Sequence, residues 1–315
     1  MPYLRHALAG APFRRSDGQV VVLMSVFMTV LLGACGLVLD VGSWYRADRA
    51  TQATADAAAL AGAQSLIDGT APAEALAGEY AGKNGGGDLT VSFGQRVLEN
   101  DLITVTVART EPAFFTKLFG IETVQVNSRA TARAGVPSRA RYVAPITVNE
   151  QHPMLQCECF NDPTQVALIN LHNPGGGDAA GAFGLLNLQS LSNPSGNIGA
   201  DLLGQWIRDG YQDALPLGLY DSAPSANFNS DYIRNALRDR IGEELLFPVY
   251  RTITGSGSGA EYDIIGWVGF VPTSFTTGSS TGTIRGYFTK VVWQGLADET
   301  GTVPDFGVRV ITLVE

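Results

Sequence analysis

The order of apolar and polar residues divides the chain into regions of different period. From Val20 to Leu39 it reads VVVLMSVFMTVLLGACGLVL, about 20 residues without a charge. A helix of that length crosses a hydrocarbon core of about 30 Å. A cleaved signal peptide has a shorter apolar core, about 7–15 residues, so an uncleaved anchor is expected. The helical pattern does not stop at Leu39. From Asp40 to Ile67 there is no proline, and ATADAAALAGA at 53–63 carries seven alanines; alanine is the best helix former. One helix from Gln19 to Ile67 is expected, roughly 70 Å long at about 1.5 Å per residue. Ala50, Thr54, Ala57, Ala61 and Gln64 fall on one face at helical spacing. Small residues there permit close approach, either by the chain's own domain or by other subunits.

The period then changes from helical to two. LTVSF (89–93) and LITVTVAR (102–109) predict strands, with Ile103, Val105 and Val107 alternating with Thr104 and Thr106. Residues 68–87, with Pro72 and the start of GKNGGGD, have turn composition and room for a short helix at Ala73–Tyr80. EPAFFTKLFG (111–120) has Pro near its start and Gly at its end, which predicts a short helix. Thr123 to Arg133 alternates again. Val124, Val126, Ser128, Ala130 and Ala132 face one way; Gln125, Asn127, Arg129, Thr131 and Arg133 face the other. A small antiparallel sheet packed on the alanine helix would bury the first set and leave the second in water.

GVPSRAR (135–141) reads as a linker. Beyond it, turn-rich stretches at 172–184, 192–199, 255–261 and 276–282 separate expected strands at 166–171, 183–188, 247–254, 262–271, 283–293 and 307–314. Helices are expected at 200–210 and 230–244, the second with Ser230 as N-cap and Ile233, Leu237 and Ile241 as an apolar stripe. The fold class is α+β: a transmembrane helix continuing into a long Ala-rich helix on a small antiparallel sheet, then a mostly β region with two helices. The expected division is 1–18 as a cytoplasmic basic N-terminus and 19–40 as the transmembrane helix. An exported α+β domain at 41–135 and a second exported, mostly β domain at 142–315 complete it.

Charge orients the anchor. Arg5, Arg14 and Arg15 precede the apolar run with Asp17 the only acid, whereas Arg46 and Arg49 beyond it are interleaved with Asp40, Asp48 and Asp56. The side richer in basic residues stays in the cytoplasm, so the rest of the chain is exported, and Trp44 and Tyr45 fall where an outer aromatic belt lies. The net charge of −9 over 315 residues offers no basic stripe for nucleic acid.

The chemistry-bearing residues are few. The three histidines, His6, His152 and His172, form no HExxH, and there is no P-loop. GSGSG at 255–259 meets the nucleophile-elbow pattern only as low complexity, and the glycine run at 175–177 is half a dinucleotide fingerprint without its acidic anchor. No catalytic residue, cofactor, metal ligand or small-molecule substrate is assigned, and the protein is read as a non-enzyme. Cys157 and Cys159 close a QCEC stretch, with Cys35 inside the apolar run. A local bridge, free thiols and a metal held with His152 are all open. Trp206, Trp267, Trp293, Tyr250 and Tyr262 are either core residues or the lining of a groove.

The N-terminal segment resembles the Flp pilus-assembly TadE/TadG-like family. The resemblance rests on the basic lead, Gly18-Gln19, the apolar run, LDVG at Leu39–Gly42, Tyr45 and QATADAAALAGA at Gln52–Ala63. A looser likeness covers FFTKLFGIETVQVNSRATARA at Phe114–Ala134. It implies a single-pass inner-membrane (plasma-membrane) protein of a Tad/Flp type IVb pilus system, a minor pseudopilin or a scaffold. Its partners would be the lipid bilayer through 20–39 and other pilus or envelope proteins, through Ala50, Thr54, Ala57 and Ala61. Two departures stand out. Leu23 occupies the position where prepilin-peptidase substrates carry Glu, and the DxSxS metal motif of larger family members is absent. The alternative reading is an envelope-anchored module that binds a ligand or polysaccharide and has no part in pilus assembly.

Overall fold

A computed structural model describes residues 17–171, 184–191, 198–223, 229–256, 259–278 and 282–314. Arg5, Arg14, Arg15, His6, His172, the glycine run at 175–177 and most of the 192–199 turn lie outside the described residues, as do 257–258 of GSGSG and 279–281 of the 276–282 turn. The chain is α+β, as the pattern predicts. Helix α1 (Asp17–Ser65) is unbroken over 49 residues. A 3₁₀ turn at Leu66–Asp68 follows, and then helix α2 (Thr70–Lys83). The expected Ala73–Tyr80 helix is thus longer at both ends, because Pro72 sits in its first turn, where a missing N–H costs nothing.

Strands β1 (Asp88–Gly94), β2 (Leu102–Pro112) and β3 (Thr123–Gly135) come next. The short helix expected at 111–120 is only a 3₁₀ turn, Thr116–Phe119, because Glu111 and Pro112 still belong to β2. Then come β4 (Pro137–Ala140), β5 (Val148–Asn149), α3 (Pro153–Gln156), β6 (Ala167–Asn170), α4 (Ala200–Asp209), β7 (Leu215–Pro216) and β8 (Gly218–Asp221). Helix α5 (Asp231–Asp239), β9 (Leu245–Thr254), β10 (Glu261–Thr277), β11 (Gly282–Thr289), β12 (Val291–Val292), β13 (Gly295–Ala297) and β14 (Val308–Leu313) complete the order. Of the strand expected at 183–188, residue 183 lies outside the described residues; at 184–188 isolated bridges stand in its place, Leu185 with Ile146 and Leu186 with Ser222.

By internal contacts the chain forms two units. One comprises the segment through Thr51 with Ala108–Ser128; the other comprises Gln52–Val107 with Arg129–Glu315. In the larger unit, the alanine part of α1 is buried between two partners. Ala55, Ala58, Ala59 and Ala63 cluster with Ala73, Ala77 and Ala81 of α2 and with Ile103, Val105, Val107, Ala130 and Ala132 of the sheet. A methyl at Gly62 would meet Ile103 Cδ1 at 2.4 Å and the Ala73 carbonyl oxygen at 3.0 Å, so glycine sets the spacing there. The buried stripe is therefore rotated from the one expected. Thr54 and Ala61 are buried, Ala57 is half-buried, and Ala50 and Gln64 are exposed. Two partners choose the face, and the helix's own sequence supports several small-residue stripes. Thr54 Oγ1 donates to the Asn84 carbonyl at 2.6 Å, which ties α1 to the end of α2.

The sheet runs β1-β2-β3-β14-β12, so the last strand joins the first three. β14 is antiparallel to β3, with Val310 opposite Gly135 and Leu313 opposite Ala132. This corrects the expectation for the second half of β3. Val126, Ser128, Ala130 and Ala132 are buried as predicted, but Thr131 and Arg133 are buried too. Arg133 is 1% exposed. Its Nε donates to Asp101 at 3.0 Å, its Nη1 to Glu299 at 2.8 Å and its Nη2 to the Asp298 carbonyl at 2.7 Å. Returning chain covers the face expected to be wet, and the guanidinium is matched there by two carboxylates. Asp101 also accepts from the amides of Arg96 at 2.6 Å and Val97 at 3.1 Å. Burial works to raise this carboxyl, but the Arg96 amide, the Arg133 guanidinium and the Val97 amide outweigh it and hold its pKa below the ordinary value.

GVPSRAR is not a loose linker. Its middle is β4, which pairs with β13 on one side and β7 on the other. The larger core surrounds the sheet β5-β9-β10-β11-β6; in it Phe247 stacks on Phe270, and Phe288 meets Phe270 edge to face. Helices α4 and α5 lie within the expected ranges, and Ser230 caps α5 by accepting from the Tyr232 amide at 3.3 Å. Helix α5 ends at Asp239, so Ile241 falls in a turn and is exposed, while Ile233 and Leu237 are buried.

Candidate functional site

The residues that set this chain apart chemically lie where the apolar run of α1 ends. Val20 to Leu39 is exposed along almost its whole length, with large apolar side chains from Val20 to Leu39 open to the surroundings. It contains two hydroxyls, and both are satisfied within the helix: Ser25 Oγ donates to the Val21 carbonyl and Thr29 Oγ1 to the Ser25 carbonyl, each at 2.8 Å. Internal pairing of this kind is what a hydrocarbon surrounding demands. By length and composition this helix is long and apolar enough to cross a membrane.

One helical position past Leu39 stands Asp40, fully buried. Its carboxylate accepts four hydrogen bonds from a distant segment. The donors are the amides of Phe114 (2.9 Å), Phe115 (3.0 Å) and Thr116 (2.7 Å) and the Thr116 hydroxyl (2.9 Å). Three successive N–H groups aimed at one carboxylate form a backbone anion cradle, and it compensates a charge that would be costly to bury alone. The cradle is built by the link between β2 and β3. The Ala113 amide closes on the Glu122 carbonyl at 2.9 Å, and Gly120 takes a φ of 83° to turn the chain back, a conformation open to glycine. Phe115 lies over Gly36; a Cβ at Gly36 would fall 2.3 Å from the Phe115 ring. Around this clamp the link is apolar and open: Phe114, Leu118, Phe119 and Ile121 are exposed.

Just beyond, Arg49 stacks over the Tyr45 ring at 5.2 Å and donates to its hydroxyl at 3.2 Å. The Trp44 indole N–H meets no acceptor among the described residues. Asp40 belongs to the LDVG stretch, which was legible in the sequence; its partner segment was not, because nothing local pairs residue 40 with 114–116.

The other sequence candidates separate. Cys157 and Cys159 are bridged to each other, and no cluster of three potential metal ligands occurs among the described residues. His152 is engaged on both nitrogens. Its Nδ1 accepts from the Met154 amide at 3.2 Å, capping α3, and its Nε2 lies 3.3 Å from the Leu168 carbonyl. Burial lowers its pKa against the opposing effect of the Leu168 bond, which suits the neutral ring those bonds require. Of the five aromatics, Trp206, Trp267, Tyr250 and Tyr262 are buried in the core. Trp293 is half-buried, donates to the Arg141 carbonyl at 2.7 Å and lines a shallow cleft with Tyr142, Arg208 and Arg240.

Comparison with known proteins bears on one part of the chain. No curated protein and no solved structure matches it. A family model does match, over residues 18–65, described as Flp pilus-assembly TadE/G-like. The match ends before the Phe114–Ala134 segment and covers the long apolar and alanine-rich helix α1 almost end to end. The stretch that is similar to the Flp pilus-assembly TadE/G-like family, residues 18–65, is thus also the N-terminal apolar helix.

Proposed function

We propose that this chain is a single-pass, membrane-anchored structural or assembly component of a Tad/Flp type IVb pilus system, acting as a minor pseudopilin-like subunit or as a scaffold. The observation that carries the reading is the coincidence of the family match at 18–65 with a helix apolar enough to anchor in a bilayer. The bilayer is the inner (plasma) membrane, the basic N-terminus is cytoplasmic and the two regions beyond it are exported, as the flanking charges imply. Thr54 and Ala61 are used inside the chain's own core, which leaves Ala50 and Ala57 as the parts of the small-residue face open to another pilus or envelope protein. The protein acts through these surfaces and not as an enzyme.

A clean deletion scored for surface pili by electron microscopy tests this. Loss of pili, restored by complementation, is the expected result. Tagged protein in sheared fibres makes it a subunit; tag only in membranes makes it a scaffold. Normal pili in the deletion overturn an essential assembly role.

A further inference from the structure

We propose that the β2–β3 link, residues 114–121, is a second membrane-seated element: Phe114, Leu118, Phe119 and Ile121 enter the leaflet at the Asp40 end of α1. The inference rests on the reading of α1 as a bilayer anchor, and its first support is depth. Phe115 occupies the space over Gly36, four residues before Asp40 and about 6 Å further into the apolar run at about 1.5 Å per residue. Whatever depth α1 takes, the ring of Phe115 sits beside its last apolar turn.

The second support is the character of the link. Leu118 and Phe119 are 83% and 82% exposed, and between Ala113 and Ile121 the only charge is Lys117. A long lysine stem lets its ammonium reach water while its neighbours stay in an apolar layer. A contiguous apolar patch of this kind on a chain with a sound core marks an interaction surface. Here it is continuous with the exposed apolar face of α1.

The third support is the backbone. Non-helical chain is tolerated at bilayer depth only where its polar groups are satisfied internally. The amides of Phe114, Phe115 and Thr116 bond to Asp40. Those of Ala113, Leu118, Gly120 and Ile121 bond to carbonyls of Glu122, Phe115, Lys117 and Thr116. Asp40 thus does two things at once: it docks the link against the helix and removes three amides from the layer they would enter.

The test uses full-length protein in phosphatidylethanolamine–phosphatidylglycerol vesicles, in a Cys35→Ala background with Cys157–Cys159 left bridged. An environment-sensitive fluorophore is placed by Phe119→Cys, and separately by Leu118→Cys, with Val30→Cys as the anchor site and Gln205→Cys as the exposed site. Quenching is read with nitroxide lipids labelled near the headgroup or deep in the acyl chain, and with aqueous iodide. The expected result is blue-shifted emission at 118 and 119, severalfold stronger quenching by the shallow nitroxide than at 205, and loss of iodide quenching, while position 30 responds to the deep nitroxide. Iodide quenching at 118 and 119 equal to that at 205, with position 30 still in lipid, overturns the proposal and leaves the anchor standing. Labels at 118 and 119 shielded from both iodide and lipid quenchers overturn it in favour of a protein contact. Iodide access at position 30 overturns the anchor and the placement of the link with it.

Discussion

The two units of this molecule solve the problem of apolar surface in opposite ways. The larger one, Gln52–Val107 with Arg129–Glu315, buries its apolar residues in two clusters of its own. The smaller one, through Thr51 with Ala108–Ser128, leaves Val20–Leu39 and the 114–121 link open and buries a carboxylate instead. A unit with that distribution is incomplete in water, because exposed apolar area is the dominant unfavourable term. The contrast teaches that the same helix serves two solvents. Its bulky residues face an apolar medium in one stretch, and its small residues permit close protein packing in the next.

The contrast can be broken at several points, and the largest effect is expected at Asp40. Asp40→Ala leaves the amides of Phe114, Phe115 and Thr116 without their acceptor. In detergent or vesicles the 114–121 link should lose its docking, seen as full protease sensitivity at Phe114–Phe119, while the core of the larger unit resists. Asp40→Asn, which keeps an acceptor oxygen, should protect partially. Protection unchanged in Asp40→Ala would show that the clamp does not hold the link.

Next is the buried ion pair. Arg133→Met takes the one cation from buried Asp101, which keeps only its bonds from backbone amides, and leaves Glu299 paired with Arg96 alone; losing one member of a buried pair costs about 3–5 kcal/mol. Chemical denaturation of the full chain in detergent should show a loss of that order confined to the larger unit's transition. A third, smaller effect comes from Gly62→Val. Overpacking at the contact with Ile103 and the Ala73 carbonyl should cost about 1–3 kcal/mol, offset in part by a gain in helix propensity of under about 1 kcal/mol. The same denaturation experiment reads it, and a neutral result would mean that Ile103 gives way.

The smallest effect is on pH dependence. The Asp101 carboxyl is held below its ordinary value in the folded chain. Its contribution is therefore present above the unfolded value of about 4 and is lost as pH falls through the lower folded value. Melting temperature should decline on acidification below about pH 4, and the decline should be shallower in an Asp101→Asn chain. Asp298 and Asp305 shift the same way, so the slope is reduced by that variant and not abolished.

Much of the architecture was legible because it depends on local period. The uncharged run and the alanine stretch have no competing pattern, so the single helix expected at 19–67 is found, at 17–65. Ser230 names the start of α5, and the alternation of β2 names its buried face. What the sequence could not give is pairing between distant segments. GVPSRAR has linker composition, yet β13 and β7 supply its missing strand partners. Arg133 alternates as a wet residue, yet β14 and the 298–299 turn enclose it. For the candidate site, the LDVG stretch and the Phe-rich link were each visible, but the bond between them spans more than 70 residues.

By itself, then, the sequence determined the anchor, the length of its helix and the alternation of the strands, since hydrophobicity and period act over a turn or two of chain. Only the tertiary structure decided which face of the alanine helix is buried, that Arg133 is enclosed, and that Asp40 holds the amides of 114–116. Each of these is a match of one buried group to another brought from far along the chain, and burial makes such a match obligatory without marking it in the residues on either side.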